Sequence, residues 1–542
     1  MKLLDMIRKR ENLIAWLLFA AFVLFAAQGI SWGTPNIWHP DELIRRVLLA
    51  LLGEWQFDEI NFDYPSLPKY VMYGVGRLVT AAGYGKGEVI LAARLVSALL
   101  GAAAVLLTYH LTRKVGGGPI TALLAALLAC FNPQLTLNAR FAHNDIYLTF
   151  FVTLTAYALI QYLTKENRLW LYLAFLFVGM ATSSKYNGVG LVPAPLVAYL
   201  MVQGKGIFKD LPRRAEELSI ALGLLVAGYA IGTPKSVLWF TYYWKRAIPA
   251  IRNNALYGRG PGSVIGLVGQ WNVMKGAFGA PLFYLIVAAL LFWGGRTLWV
   301  YIKQRGQVEK PTKLVAALLL VALCYDIPIM VSYNLQPRFF TALVPTLAAL
   351  VALGVEAGMA ALKARQIAWG RNLALAGCAA LVCFSFLQSM GIVLLFINDS
   401  RGAATEYLKT LPSGQSIEYT LYPPTVDKKQ FFSAHNYPIF FINFPGQELP
   451  TSRHYTFNSG EEGIEERGPR YLAIDSFTYA RFEKEHICEL HPADCAFFEK
   501  LLAGKANYEL LAAFEYDLPP YLPQVSLSFV NPDIRVYQRT GE

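Results

Sequence analysis

No nucleotide-binding glycine loop occurs in this chain of 542 residues, neither a Walker-type run nor a dinucleotide fingerprint after a strand. No repeat with a period of about 20 to 50 residues is evident, which sets aside solenoids and propellers. Cysteine is scarce. Of the six, Cys130, Cys324, Cys378 and Cys383 lie in apolar stretches, where the residue behaves as a small hydrophobe; Cys488 and Cys495, in a polar tail, are the pair to watch for a disulfide. No basic and aromatic face is assembled on one element, so the net charge of +11 does not read as a nucleic-acid surface. The first apolar segment follows a basic stretch as a signal peptide would, yet no small-residue cleavage site follows it cleanly, and it is expected to be retained.

Apolar length is what the chain has in abundance. A helix of about 20 apolar residues crosses a bilayer core, and about eleven segments approach that length. They fall at 13–30, 88–112, 119–138, 144–163, 169–183, 188–203, 216–233, 273–295, 314–333, 339–361 and 372–397. The chain therefore reads as a polytopic α-helical membrane protein. With eleven crossings, the basic clusters at Lys2 to Arg10, Arg113-Lys114, Lys165 to Arg168, Lys205 to Arg214, Arg296 to Lys313 and Lys363 to Arg371 all fall on one side. Positive residues at span ends mark the cytoplasmic face, which places the N-terminus there.

The opposite face then receives two long loops, 31–87 and 234–272, and everything from Asn398 onward. The expected division is a membrane domain over 1–397 and an extracytoplasmic α/β domain over 398–542. Within the first loop, Asp41 to Leu52 and Pro65 to Ala81 are amphipathic and suited to the interface. In the tail, strands are expected at 416–421, 438–444, 471–477, 509–516 and 534–538, with helices at 403–410 and 495–502.

Ionisable residues within or at the ends of spans are costly to keep, and they mark function by default. Four places fit. Asp41-Glu42 follows Pro40 and reads either as a charged helix start or as a base at the lipid–water boundary. Arg140 and Asp145, around His143 and Asn144, read either as an ion pair or as two site residues. Lys185, among Ser184, Tyr186, Asn187 and Gly188, either snorkels or lines a polar pocket. Arg338 is either a headgroup anchor or a fork for phosphate oxygens. All four lie on one face. A base with separated cations there suits activation of a hydroxyl while a phosphate departs.

The order of the acidic pair Asp41-Glu42, the segment Asp63 to Pro68, the junction Arg140 to Asp145, the turn Thr182 to Tyr186 and the late Pro337 to Phe340 resembles the GT-C glycosyltransferases. Within them it is similar to the protein O-mannosyltransferase and aminoarabinose-transferase group, over residues 1 to about 397. The resemblance implies a polyprenyl-phosphate-linked sugar donor and an inverting transfer to an acceptor hydroxyl on a glycan, lipid or protein. It makes Asp41 the general base and Glu42 its partner. Arg140 would bind donor phosphate, Asp145 would hold acceptor, metal or Arg140, and Lys185 and Arg338 would stabilise the leaving phosphate. Tyr64, His143, Asn144 and Tyr186 would complete the substrate pocket. Asp63-Tyr64 departs from the group's common forms, which leaves a divalent metal open, with His39, Asp63 and His143 as candidate ligands. The lack of a nucleotide loop accords with a lipid-linked donor. A multi-pass protein of the cell membrane is implied; the rival readings are a transporter or flippase and a non-enzymatic membrane assembly protein. The small tail is unlike a β-trefoil insert, which favours a glycan or lipid acceptor.

Overall fold

The computed structural model describes residues 11–54, 57–204, 210–259, 263–304, 308–436, 460–525 and 527–541. These form two compact units, one from 11–30 and 41–390, the other from 31–40 and 391–541. The division falls near the expected boundary at 398. It also assigns the segment 31–40 to the tail, which composition did not suggest.

The first unit is helical. It opens with α1 (Glu11–Ala27), α2 (Ile44–Leu51), α3 (Leu67–Ala81), α4 (Lys86–Val115), α5 (Pro119–Cys130) and α6 (Pro133–Asn138). It continues through α7 (Asn144–Lys165), α8 (Arg168–Ser184), α9 (Pro193–Gln203), α10 (Leu211–Gly232), α11 (Lys235–Leu238) and α12 (Phe240–Leu256). Then come α13 (Gly266–Phe278), α14 (Ala280–Lys303), α15 (Lys310–Met330), α16 (Val344–Ala364) and α17 (Ala368–Ile397), the last running on into the second unit.

Seven helical stretches among the described residues are long and apolar enough to cross a membrane. The other four expected spans also carry helix, but α1 and α8 have 17 residues each, α5 has 12 and α9 has 11. The membrane character stands; length alone does not establish eleven crossings. The expected span 273–295 begins later, at Ala280, because Gly279 at φ 76° breaks the helix before Pro281 restarts it. The amphipathic stretches of the first loop form α2 and α3. The expected loop 234–272 is largely α11, α12 and the start of α13.

Small residues let the helices approach. A Cβ on Gly179 would lie 2.2 Å from Leu225 O, and one on Gly228 2.5 Å from Leu176 O, so α8 and α10 meet backbone to backbone. After Ser184 the backbone of Lys185 is extended (φ −155°, ψ 137°), ending α8, and a 3-10 turn spans Tyr186–Leu191.

The second unit holds a five-stranded sheet in the order β2-β1-β3-β5-β4. The strands are β1 (Gln415–Tyr419), β2 (Phe431–Asn436), β3 (Tyr471–Asp475), β4 (Tyr508–Phe514) and β5 (Ile534–Arg539). β1 runs parallel to β2 and β3, while β5 is antiparallel to β3 and β4. β3 is buried throughout, as its apolar run requires of a central strand. β2 was not expected, and the expected strand 438–444 lies outside the described residues. Helices Ser400–Thr410 and Pro492–Leu502 extend the two expected ones toward their N-termini. Cys488 and Cys495 form a disulfide. Segment 31–40 is held by a buried ion pair: Arg401 forks onto Asp399, Trp32 Nε1 donates to Asp399 Oδ2 at 2.8 Å, and the Arg401 guanidinium stacks 4.5 Å from the Trp38 ring.

Candidate active site

Three chain segments of the first unit are stitched together near Asp41. Glu42 is fully buried and takes a two-pronged ion pair from Arg94 of α4, with Nε and Nη2 each 2.8 Å from its carboxylate oxygens. The same carboxylate accepts from Ala142 N at 2.8 Å, and Leu43 N donates to Ala142 O at 3.0 Å. Arg140 is also buried. Its guanidinium donates to three main-chain carbonyls, Phe25 O at 2.7 Å, Gln28 O at 3.0 Å and Thr136 O. Glu42, expected as the partner of Asp41, is locked onto Arg94, and Arg140, expected to bind donor phosphate, ties the end of α1 to the junction before α7.

The charges that remain gather on one another. Arg338 Nη1 lies 2.9 Å from Asp41 Oδ2, Lys185 Nζ donates to Asp145 Oδ1 at 2.6 Å, and His143 Nδ1 lies 2.8 Å from Asp145 Oδ2. The two ion pairs feel each other, since the Lys185 charge interacts with Arg338 and Asp41 as well as Asp145. Lys185 Nζ also sits 4.3 Å from the Phe339 ring centre, and the Tyr64 ring meets His143 edge-on at 5.8 Å. Burial, and then the Asp41 carboxylate, push the Tyr64 hydroxyl well above its ordinary pKa, so it stays a neutral donor. Asn144 is buried, and neither of its amide atoms is hydrogen-bonded among the described residues.

Local sequence explains the placement. His143 caps α7 in extended conformation, which puts Asp145 in the first turn, where the helix dipole favours a carboxylate. Asp41 stays about a third exposed while its neighbour Glu42 is buried, because the turn before α2 points one carboxylate inward to Arg94 and leaves the other at the rim. Tyr325 Oη of α15 donates to Phe339 O at 2.9 Å and fixes the 3-10 turn Pro337–Leu343 that carries Arg338.

Beside this cluster lies a cavity of about 550 Å³, lined by Lys185, Asp63, Tyr64 and Tyr186 together with a larger apolar and aromatic surface that includes Tyr229 and Trp244. That volume suits a small-molecule ligand. The loop carrying Asp63 and Tyr64 is pinned by a second set of charges. Lys69, fully buried, lies 3.0 Å from Asp58 and 2.9 Å from Glu59, and Lys235 lies 2.8 Å from Asp58.

Arg94 and Lys69 were not singled out from the sequence. Arg94 could have been: an arginine in the middle of an apolar run needs a buried partner. Of the candidate metal ligands, His143 is engaged with Asp145, Asp63 lines the cavity, and His39 belongs to the second unit, packed edge-on against Phe529. Among the described residues no three His, Cys, Asp or Glu side chains are grouped to hold a metal ion.

Residues 74–211 match the family described as dolichyl-phosphate-mannose-protein mannosyltransferase. The archaeal oligosaccharyltransferase of Archaeoglobus fulgidus, solved with zinc and sulfate, superposes with a TM-score of 0.50 at 13% identity, covering 94% of this chain and 73% of that one. The two share a fold, the GT-C fold expected from the motif order. An undecaprenyl phosphate-alpha-4-amino-4-deoxy-L-arabinose arabinosyl transferase of Pseudomonas aeruginosa is 28% identical over 191 residues, 34% of this chain and 32% of the relative. An uncharacterized protein of Aquifex aeolicus is 32% identical over 109 residues, 20% of this chain and 22% of that one. The similarity to these relatives thus spans a third of their length or less.

Proposed function

We propose that this GT-C protein transfers a sugar from a polyprenyl-phosphate carrier to an acceptor hydroxyl on the extracytoplasmic face, with inversion. The observation that carries the reading is the pairing of Asp41 with Arg338 next to the Lys185–Asp145–His143 group and the cavity. The names of the matching family and of the Pseudomonas relative, both lipid-phosphate sugar transferases, support it.

In this scheme the donor phosphate engages Arg338 and Lys185, and Arg338 gives up part of its hold on Asp41. Asp41 then takes the proton of the acceptor hydroxyl. The acceptor oxygen forms a bond to the anomeric carbon as the bond from that carbon to the phosphate oxygen breaks, and the phosphate leaves with the electron pair. A positioned base contributes about 10²- to 10⁴-fold, and fixed cations at the departing phosphate supply more. Asp145 holds Lys185 in place, Glu42 and Arg94 hold the turn that carries Asp41, and Tyr64 donates into the site as a neutral phenol. The N-terminus lies in the cytoplasm, and the acceptor is a glycan or lipid in preference to a protein. The transporter reading draws no support from the named relatives.

The test supplies the purified chain in detergent with undecaprenyl-phosphate mannose or undecaprenyl-phosphate aminoarabinose and envelope glycolipids, and measures release of undecaprenyl phosphate. Sugar movement across sealed vesicles without that release would decide for a transporter.

A further inference from the structure

Three tyrosines beside the cavity form a hydrogen-bonded row. Tyr186 Oη lies 2.7 Å from Phe62 O and 2.8 Å from Tyr243 Oη, which in turn lies 2.7 Å from Tyr229 Oη. A phenol has one proton to donate, and a carbonyl can only accept. Tyr186 therefore commits its proton to Phe62 O. Tyr243 must donate to Tyr186, and Tyr229 must donate to Tyr243. The row has a single direction, fixed by the carbonyl at its far end.

The consequence falls on Tyr229, which lines the cavity. Its proton is engaged and its oxygen makes no other hydrogen bond among the described residues, so a ligand meets it only as an acceptor. Its ring is stacked on Trp244 at 6.0 Å and 27°, and Trp244 is itself held by Ser236 O at 3.2 Å. The acceptor is thereby fixed in place. A polyprenyl-phosphate sugar has three parts. The isoprenoid chain has no hydrogen-bond donor, and the phosphodiester offers only acceptor oxygens. The sugar alone can satisfy this oxygen.

We propose that Tyr229, with Tyr243 and Tyr186 setting its polarity, selects the sugar of the lipid donor by accepting a hydrogen bond from one of its hydroxyl or ammonium groups. This rests on the donor reading above.

The experiment measures binding of undecaprenyl-phosphate mannose and undecaprenyl-phosphate aminoarabinose to the full chain, without acceptor. Alongside go analogues in which one hydroxyl is replaced by fluorine or the amine by azide, neither of which can donate. One replacement is expected to weaken wild-type binding about tenfold, the effect of one neutral hydrogen bond, and to cost nothing further in Tyr229→Phe. In Tyr243→Phe the Tyr229 proton is released to point at the ligand, so the same penalty shrinks; a mere loss of packing would not produce that reversal. A penalty unchanged in both variants overturns the inference alone. Failure of the wild type to bind either lipid sugar overturns the donor reading and this inference with it. Should Tyr229→Phe not fold, the Tyr243→Phe comparison decides by itself.

Discussion

Arg338 Nη1 stands 2.9 Å from Asp41 Oδ2, so the proposed base is held by the proposed phosphate ligand. The two roles compete for one contact, and donor binding is what separates them. Asp41→Asn removes the proton acceptor without unburying anything, because the side chain is already about a third exposed. The variant is expected to keep a near wild-type melting temperature while its turnover falls by about 10²- to 10⁴-fold. Transfer at the wild-type rate by folded protein would remove the base role.

Arg338→Ala and Lys185→Ala should both weaken binding of undecaprenyl phosphate, and they differ in stability. Lys185→Ala leaves Asp145, which is 1% exposed, with His143 in contact and the Arg338 charge nearby. Breaking a buried pair from one side costs about 3–5 kcal/mol. Arg338→Ala leaves a rim carboxylate that water can solvate, and the cost is expected to be about 1 kcal/mol or less. Thermal unfolding in detergent, read beside ligand affinity, checks the contrast. Unchanged affinity in both variants would end the phosphate assignment.

The Glu42–Arg94 pair is fully buried, so Glu42→Leu or Arg94→Leu alone strands a charge and should lower stability by about 3–5 kcal/mol. The double variant should recover part of that loss, since apolar groups can replace a buried pair at little net cost. A catalytic Glu42 would show instead as lost turnover with stability intact.

Arg140→Ala removes three hydrogen bonds to main-chain carbonyls, each of the charged kind worth about 1.5–3 kcal/mol. Poor yield of folded protein is expected, with donor affinity normal in whatever folds. Weakened donor affinity in well-folded Arg140→Ala protein would return the residue to the site.

Burial works to raise the Asp58 carboxyl, yet the charges of Lys69 and Lys235 and the Ser66 hydroxyl outweigh it and leave the group below its ordinary value. A carboxylate depressed on folding contributes stability that is present above its unfolded pKa of about 4 and is lost as pH falls through the folded value. Melting temperature should therefore drop on acidification below about pH 4 more in wild type than in Asp58→Asn. Parallel pH profiles for the two would contradict the coupling.

The membrane character and the placing of the long helices follow from apolar length, which acts locally and is read directly from the chain. The motif order was equally legible, and with it Asp41, Lys185, Arg338 and Asp145 as the residues to examine. Spacing could not show which carboxylate each cation meets. Arg140 and Asp145, five positions apart, read either as an ion pair or as two site residues, and the turn at His143 sends Arg140 to the carbonyls at the end of α1 and Asp145 to Lys185 just past α8. Asp41 and Glu42 are neighbours of like chemistry, and nothing local distinguishes them. Only the packing of α4 does, by presenting Arg94 inside an apolar helix where it must take one carboxylate with it. The sequence thus marked a membrane fold with ionisable residues at the ends of its apolar segments. Long-range packing, which sets where each charge is desolvated, decided which partner each of those charges meets.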